Sequence, residues 1–231
     1  MSEEERERLA REKVQRQVNE KAGVGDAAFP GGGTLLTEPI LVVNQKTKII
    51  ELTNEYEVMD REGTRLGAIR EVGQSTAKKV IRALTKFDQY LTHRYEIVDA
   101  SGAVMLSMTR PAKVFKSTMV VSDAAGAEIG RIVQENMIGK IHFGLEAGGT
   151  SLGSINAENW RAWNFNIKDP AGEELARITK TFEGIARTVF TTADNYVIHL
   201  HRQLTDPLRQ LVIAASVGVD TALKQDSRGL N

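Results

Sequence analysis

Cysteine is missing from this chain of 231 residues. Its absence excludes disulfide bonds, thiolate metal sites, cysteine nucleophiles and lipid anchors on cysteine. A net charge is missing as well, because Lys plus Arg and Asp plus Glu number 30 each. Any attraction to a polyanion must therefore come from local clusters of charge, and we expect no nucleic-acid partner.

Long apolar runs are also missing. The longest strongly apolar run, residues 211–219, is much shorter than the ~20 residues that a membrane-spanning helix needs. The N-terminus, from Met1 to Arg6, lacks the basic-then-apolar layout of a secretory signal. We therefore expect a cytoplasmic, non-spanning protein. Its 41% of hydrophobic residues is enough for a sizeable core.

The first part of the chain is densely charged. Residues 2–20 are rich in Glu, Arg, Lys and Gln, with Leu9, Val14 and Val18 as apolar points. That spacing permits a weak amphipathic helix, but the composition favours a solvated, disordered arm. We predict an arm and glycine-rich linker over residues 1–33, a folded domain over 34–225 and a tail over 226–231.

A hairpin pattern repeats five times along the folded domain. In each copy, apolar and polar residues alternate on both sides of an acidic residue that lies three positions before a glycine. Alternation is typical of half-buried strands. An aspartate at the first turn position accepts backbone N–H groups, and a glycine at the fourth tolerates positive φ. The copies begin at Tyr56, Tyr95, Met119, Phe143 and Phe165.

These hairpins and a C-terminal helix define the predicted fold. Further strand-like segments at residues 40–43, 48–52 and 196–200 bring the total to about twelve strands, and so large a sheet usually closes. Residues 206–224 form a predicted helix that is apolar on nearly all sides, so it must be buried. We predict a mainly β fold: a closed antiparallel barrel around a hydrophobic C-terminal helix.

This arrangement resembles tubby-like domains. The segment from Thr192 to Leu200, followed by Asp206 and the apolar helix, is similar to the C-terminal part of phospholipid scramblases. The hairpins, with Arg110-Pro111 after the second, resemble scramblase-related and LURP-one-related proteins. The resemblance covers about residues 35–225. It implies binding of phospholipid headgroups at a membrane surface and assistance to phospholipid movement between leaflets.

In the eukaryotic scramblases, the matching C-terminal segment is proposed to bind calcium. The matched ligand positions here are Thr192, Asp194, Tyr196 and Gln203. Ca²⁺ usually takes six to eight oxygen ligands, several of them from carboxylates. Because Asp194 is the one carboxylate, we interpret it as a remnant of the metal site and predict no calcium dependence and no cofactor.

Seven cations are the candidate headgroup ligands. They lie in two segments without acidic residues, 77–87 and 109–117, and residues 76–87 are predicted to form a helix. If the segments adjoin, each cation near an anionic leaflet would contribute about 1 kcal/mol. A solvated helix face explains the first segment equally simply. The candidates are Lys78, Lys79, Arg82, Lys86, Arg110, Lys113 and Lys116.

Three other patterns have simpler structural interpretations. Residues 149–153 match G-x-S-x-G, but hydrolases place that serine on a strand-to-helix turn, and here it lies in a predicted hairpin. His199 and His201 share a strand face, which favours solvated histidines over a metal site. Trp160 and Trp163 could anchor at a membrane interface, although we favour the core for at least one.

Our leading hypothesis is a domain without enzymatic activity that binds anionic phospholipid, peripheral to the inner face of the plasma membrane. The alternative is a regulatory or scaffold module that binds protein through the barrel surface or the N-terminal arm. An oligomeric state is not predicted.

Overall fold

The computed structural model describes residues 2–45, 55–73, 92–111, 117–136, 142–159, 164–181, 195–216 and 218. Within them, the strands are β1 (Ile40–Gln45), β2 (Glu55–Met59), β3 (Arg65–Val72), β4 (His93–Asp99), β5 (Val104–Arg110), β6 (Thr118–Asp123), β7 (Glu128–Gln134), β8 (His142–Ala147), β9 (Thr150–Asn159), β10 (Asn164–Lys168), β11 (Glu174–Lys180) and β12 (Asn195–Leu200). Each strand pairs antiparallel with its sequence neighbours, and β1 pairs with β12. The predicted closed antiparallel barrel is confirmed.

Tight turns join the two strands of each hairpin at one end of the barrel, which we call the turn end. These turns have the acidic residue and glycine that the sequence predicts. In the β4–β5 turn, the Asp99 carboxylate accepts hydrogen bonds from the backbone N–H groups of Ser101 and Ala103 at 2.9 and 3.0 Å. Gly102 closes the turn with a φ of 90°, which a residue with a side chain rarely adopts. The same arrangement recurs at Asp123 and Asp169. A register shift in each hairpin accommodates the turn.

The C-terminal helix α2, residues 208–216, lies inside the barrel. Residues 211–215 of α2 are almost completely buried, and they belong to one cluster with the inward-facing residues of the strands. Tyr196, Ile198 and Leu200 line the same cluster, as the alternation along β12 predicts. A closed sheet thus encloses the described part of the apolar helix.

The N-terminal segment forms a helix on the outside of the barrel. Helix α1 (Glu3–Arg16) begins at Ser2, whose hydroxyl accepts from the Glu5 N–H, and continues in a π-helical turn, Gln17–Lys21. Val14 and Val18 are buried against apolar residues on the outer face of β12, β1 and β2: Ile40, Val42, Met59 and Val197. The sequence interpretation of a solvated arm differs from this result, because Val14 and Val18, with Ala22, Val24 and Ala27 packed around them, cover the apolar patch.

Several predicted elements lie outside the described residues. They are the strand at 48–52, the helix at 76–87, the two tryptophans and the end of the C-terminal helix after residue 218. The boundaries predicted for the arm, the folded domain and the tail stay predictions.

Candidate functional site

The two basic segments are connections between neighbouring strands. Lys78, Lys79, Arg82 and Lys86 belong to the β3–β4 connection, and Lys113 and Lys116 to the β5–β6 connection; all six lie outside the described residues. The strand ends that border these connections are described. In an antiparallel meander all of them lie opposite the turn end, at what we call the connection end.

The register brings the two connections close together at their origins. His93 at the start of β4 pairs directly with Arg110 at the end of β5. Thr92 and Pro111, one residue further out, therefore leave the barrel from adjacent strands, which are about 4.8 Å apart. The two connections that contain the basic segments thus leave the barrel from adjacent strands.

Arg110, the described member of the seven candidates, is not on the surface. Its exposed fraction is 1%, and it lies on the inward-facing side of β5 with Leu106 and Met108. This position differs from that expected of an exposed headgroup ligand, because the alternation along β5 puts residue 110 inside. Headgroup binding by Arg110 stays a prediction.

A buried contact between Glu71 and His93 lies beside Arg110 inside the connection end. His93 Nδ1 is 2.7 Å from Glu71 Oε1, and both side chains are at least 97% buried. The His93 ring also stacks near Tyr95, with a ring separation of 6.5 Å. Glu71, His93 and Arg110 come from β3, β4 and β5, so three adjacent strands place ionisable side chains in the barrel interior.

Sequence reasoning missed Arg94, an exposed cation at the same end. Arg94 pairs in register with Val72 and Thr109, neither of which offers a carboxylate. Within the described part of the chain it forms no ion pair. The other exposed arginines of the barrel wall lie 2.8–3.3 Å from carboxylate oxygens: Arg65, Arg70, Arg131 and Arg202. Alternation with His93 and Tyr95 indicates an outward position for Arg94, but only the register reveals its neighbours.

The histidine pair and the G-x-S-x-G pattern also have defined places. The rings of His199 and His201 are 4.7 Å apart on the outside of β12, and His201 Nδ1 is 3.7 Å from Glu174. Among the described residues, no group of three His, Asp or Glu side chains could hold a metal ion. Ser151 is the second residue of β9 in a β-hairpin, not on a strand-to-helix turn.

Asp194, the predicted remnant of a calcium site, lies outside the described residues. The described neighbours Asn195 and Tyr196 begin β12 and are buried. No helix among the described residues is long and apolar enough to cross a bilayer.

Comparisons with known proteins give distant relatives. A phospholipid scramblase family protein of Schizosaccharomyces pombe is 22% identical over 180 residues, covering 71% of this chain and 46% of that protein. The altered inheritance rate of mitochondria protein 25 of Saccharomyces cerevisiae is 21% identical over 224 residues, covering 80% and 65% respectively. The chain thus spans about half to two thirds of the length of these relatives.

A solved structure of a protein from Arabidopsis thaliana aligns with 82% of this chain and 99% of its own, at 9% identity and a TM-score of 0.45. The sequence model of the Scramblase family matches residues 28–223, which include all twelve strands and the described part of α2. The chain therefore belongs to the Scramblase family.

Proposed function

We propose that this domain binds phospholipid headgroups of an anionic membrane surface through the connection end of its barrel, and assists phospholipid movement between leaflets without Ca²⁺. The observation that carries the proposal is the register of β4 and β5. Because of this register, the two connections that contain the acid-free basic segments leave the barrel from adjacent strands.

Local charge is the physical basis of binding. The chain has no net charge, so attraction to an anionic leaflet requires that cations be concentrated on one side. The connections that leave the barrel next to each other contain six lysines and arginines, and each would contribute about 1 kcal/mol if it lies near the leaflet. The arginines of the barrel wall contribute less, since most are held by neighbouring carboxylates.

Family membership supports the transport part of the proposal. The S. pombe relative is named for the phospholipid scramblase family, and the family match spans residues 28–223. Calcium is left out because the matched segment offers one carboxylate, Asp194, whereas Ca²⁺ sites usually draw on several.

Liposome flotation tests the binding part. The wild-type chain is expected to float with vesicles that contain phosphatidylserine at low salt, and to stay at the bottom with vesicles of phosphatidylcholine alone. A variant that replaces Lys78, Lys79, Arg82 and Lys86 by glutamine should lose most of the binding.

The matched control replaces four exposed arginines of α1 by glutamine: Arg6, Arg8, Arg11 and Arg16. It changes the net charge by the same amount and should float like the wild type. Equal losses of vesicle binding in both variants would mean that total charge alone drives binding. A loss of binding in the control alone would mean that α1 contacts the membrane. Either result contradicts the proposal.

A dye-quench assay tests the transport part separately. Vesicles that contain a fluorescent phospholipid in both leaflets are treated with a reductant that bleaches only the outer leaflet. With the protein present, bleaching should go beyond the outer-leaflet fraction to the same extent with Ca²⁺ and with a chelator. Bleaching that stops at the outer leaflet would remove the transport activity and leave headgroup binding in place.

A further inference from the structure

We infer that the outer wall of β3–β6 next to the connection end is the side of the barrel that lies against the bilayer, with Arg94 as its phosphate-binding side chain. The inference rests on the proposed function and adds to it an orientation and a described residue. The contact surface consists of Val72, Arg94, Thr109 and Val120, which form one cross-strand row that we call the Arg94 row.

Arg94 is available for a phosphate because no carboxylate competes for it in the described part of the chain. An arginine can donate two parallel hydrogen bonds to one phosphate group. At Arg70, Nε and Nη2 already donate to Glu96 Oε2 at 3.1 and 2.9 Å. Phosphate would have to displace that carboxylate from Arg70, whereas no carboxylate among the described residues holds the Arg94 guanidinium.

The neighbours of Arg94 fit a membrane interface. Val72, Thr109 and Val120 are half-buried, so each presents part of its side chain on the outer wall. None of them carries a negative charge, and aliphatic surface next to a cation can enter the headgroup region at little cost. Glu96, the nearest acid in the adjacent row, is neutralised by Arg70 at 2.9 Å.

The outer wall of β8–β11, which we call the far wall, differs in charge from the wall around Arg94. One cross-strand row there consists of His142, Asn156, Asn166 and Arg177. Arg177 lies between two carboxylates, with Nη1 2.7 Å from Glu158 and Nη2 2.8 Å from Glu174. Hydrogen bonds from Arg177 and Asn166 lower the pKa of Glu158, so this acid stays charged.

His142 Nε2 is likewise 2.8 Å from Glu135. This wall therefore presents three carboxylates, an arginine that two of them already hold and Lys168 near Glu158, so an anionic leaflet would gain less there than at Arg94. This difference in charge is the reason why we place the Arg94 row, and not the far wall, against the bilayer.

The first test compares two single neutralisations. Arg94→Gln and Arg65→Gln each remove one positive charge from an exposed position, at opposite ends of the β3–β4 wall. In vesicle flotation, Arg94→Gln should weaken binding about fivefold, as expected for one near-surface cation. Arg65→Gln should have less than half that effect, because Arg65 is 3.3 Å from Glu57 and far from the connection end. Equal losses, or wild-type binding by Arg94→Gln, would overturn the inference.

The second test needs no charge change, and the cysteine-free chain makes it specific. Thr109→Cys in the Arg94 row and Thr150→Cys on the far side of the barrel are each labelled with a polarity-sensitive dye. With phosphatidylserine vesicles, the dye at residue 109 should shift to the blue and the dye at residue 150 should not. The reverse pattern would overturn the orientation alone. Absence of any binding by the wild type would overturn the proposed function, and the orientation with it.

Discussion

At the residue scale, the Glu71–His93 pair is the most consequential polar contact described in the barrel interior. Its atoms are 2.7 Å apart and both side chains are buried. Replacing Glu71 by alanine should lower the free energy of unfolding by about 2 kcal/mol, because the buried histidine loses a hydrogen-bond partner. Urea unfolding followed by circular dichroism measures the change.

Glu96→Ala provides the control for this prediction. It removes the partner of Arg70 on the exposed wall, where an ion pair contributes less than about 1 kcal/mol. If both variants lose the same stability, the buried pair has no special role in the barrel.

His199 gives a prediction for the pH dependence of stability. Burial lowers the pKa of His199 below its usual 6.5, and the charges of His201 and Arg61 act in the same direction. The unfolded chain then binds this proton more readily than the folded one, so stability is full above about pH 6.5 and declines as the pH falls below it. His199→Gln should make unfolding midpoints less sensitive to pH between about 7.5 and 5.5. An unchanged pH dependence in this variant would contradict the assignment.

Single residues at the site were only partly predictable from the sequence. Alternation correctly places Tyr196, Ile198 and Leu200 in the core and His199 outside. The same alternation also puts Arg110 inside, but charge alone made it a surface candidate. Arg94 is not predicted, because its cross-strand neighbours Val72 and Thr109 depend on strand register, which the sequence does not specify.

At the element scale, Gly67 shows why three of the five hairpins have a glycine near the start of the second strand. A Cβ at Gly67 would collide with the carbonyl oxygen of Val98, and Gly130 and Gly153 meet the carbonyls of Glu146 and Lys168 in the same way. Gly67→Ala should therefore cost about 1–3 kcal/mol, as overpacking usually does. Chemical unfolding is the measurement.

Gly25→Ala is the matched control, because nothing lies within 4 Å of a Cβ at Gly25. It should leave stability within about 0.5 kcal/mol of the wild type. A neutral Gly67→Ala would show that β3 and β4 can move apart without cost.

Helix α1 gives a prediction about local stability. Val14 and Val18 supply its buried apolar contacts with the barrel, whereas Leu9 is 46% exposed. Replacing both valines by alanine should lower the hydrogen-exchange protection of residues 3–21 by at least about tenfold, while the strands keep theirs. Leu9→Ala should leave protection of the helix unchanged. A loss of protection spread over the whole barrel would mean that α1 does not open independently.

The elements differ in how readily the sequence predicts them. The hairpins follow from the aspartate and glycine of each turn, because those residues act locally. Helix α1 depends on a tertiary contact between two valines and the patch on β12, β1 and β2, and nothing in a charged segment indicates that patch.

At the scale of the whole molecule, the sequence predicts closure of the sheet through its strand number and its apolar helix. It does not predict which connections become neighbours, since the pairing of His93 with Arg110 belongs to the register of the closed barrel. The proposed function depends on this one relation, because the two connections that contain the candidate cations leave the barrel from adjacent strands.

The central proposal is that the connection end holds the domain on anionic lipid by charge. Its most direct test is the partition coefficient of the wild-type chain, measured by vesicle sedimentation while phosphatidylserine content and ionic strength are varied independently. We predict that partitioning rises steeply with phosphatidylserine and falls severalfold between about 0.05 and 0.5 M salt, as the Debye length shortens. Equal partitioning into neutral and anionic vesicles, or indifference to salt, would contradict the account.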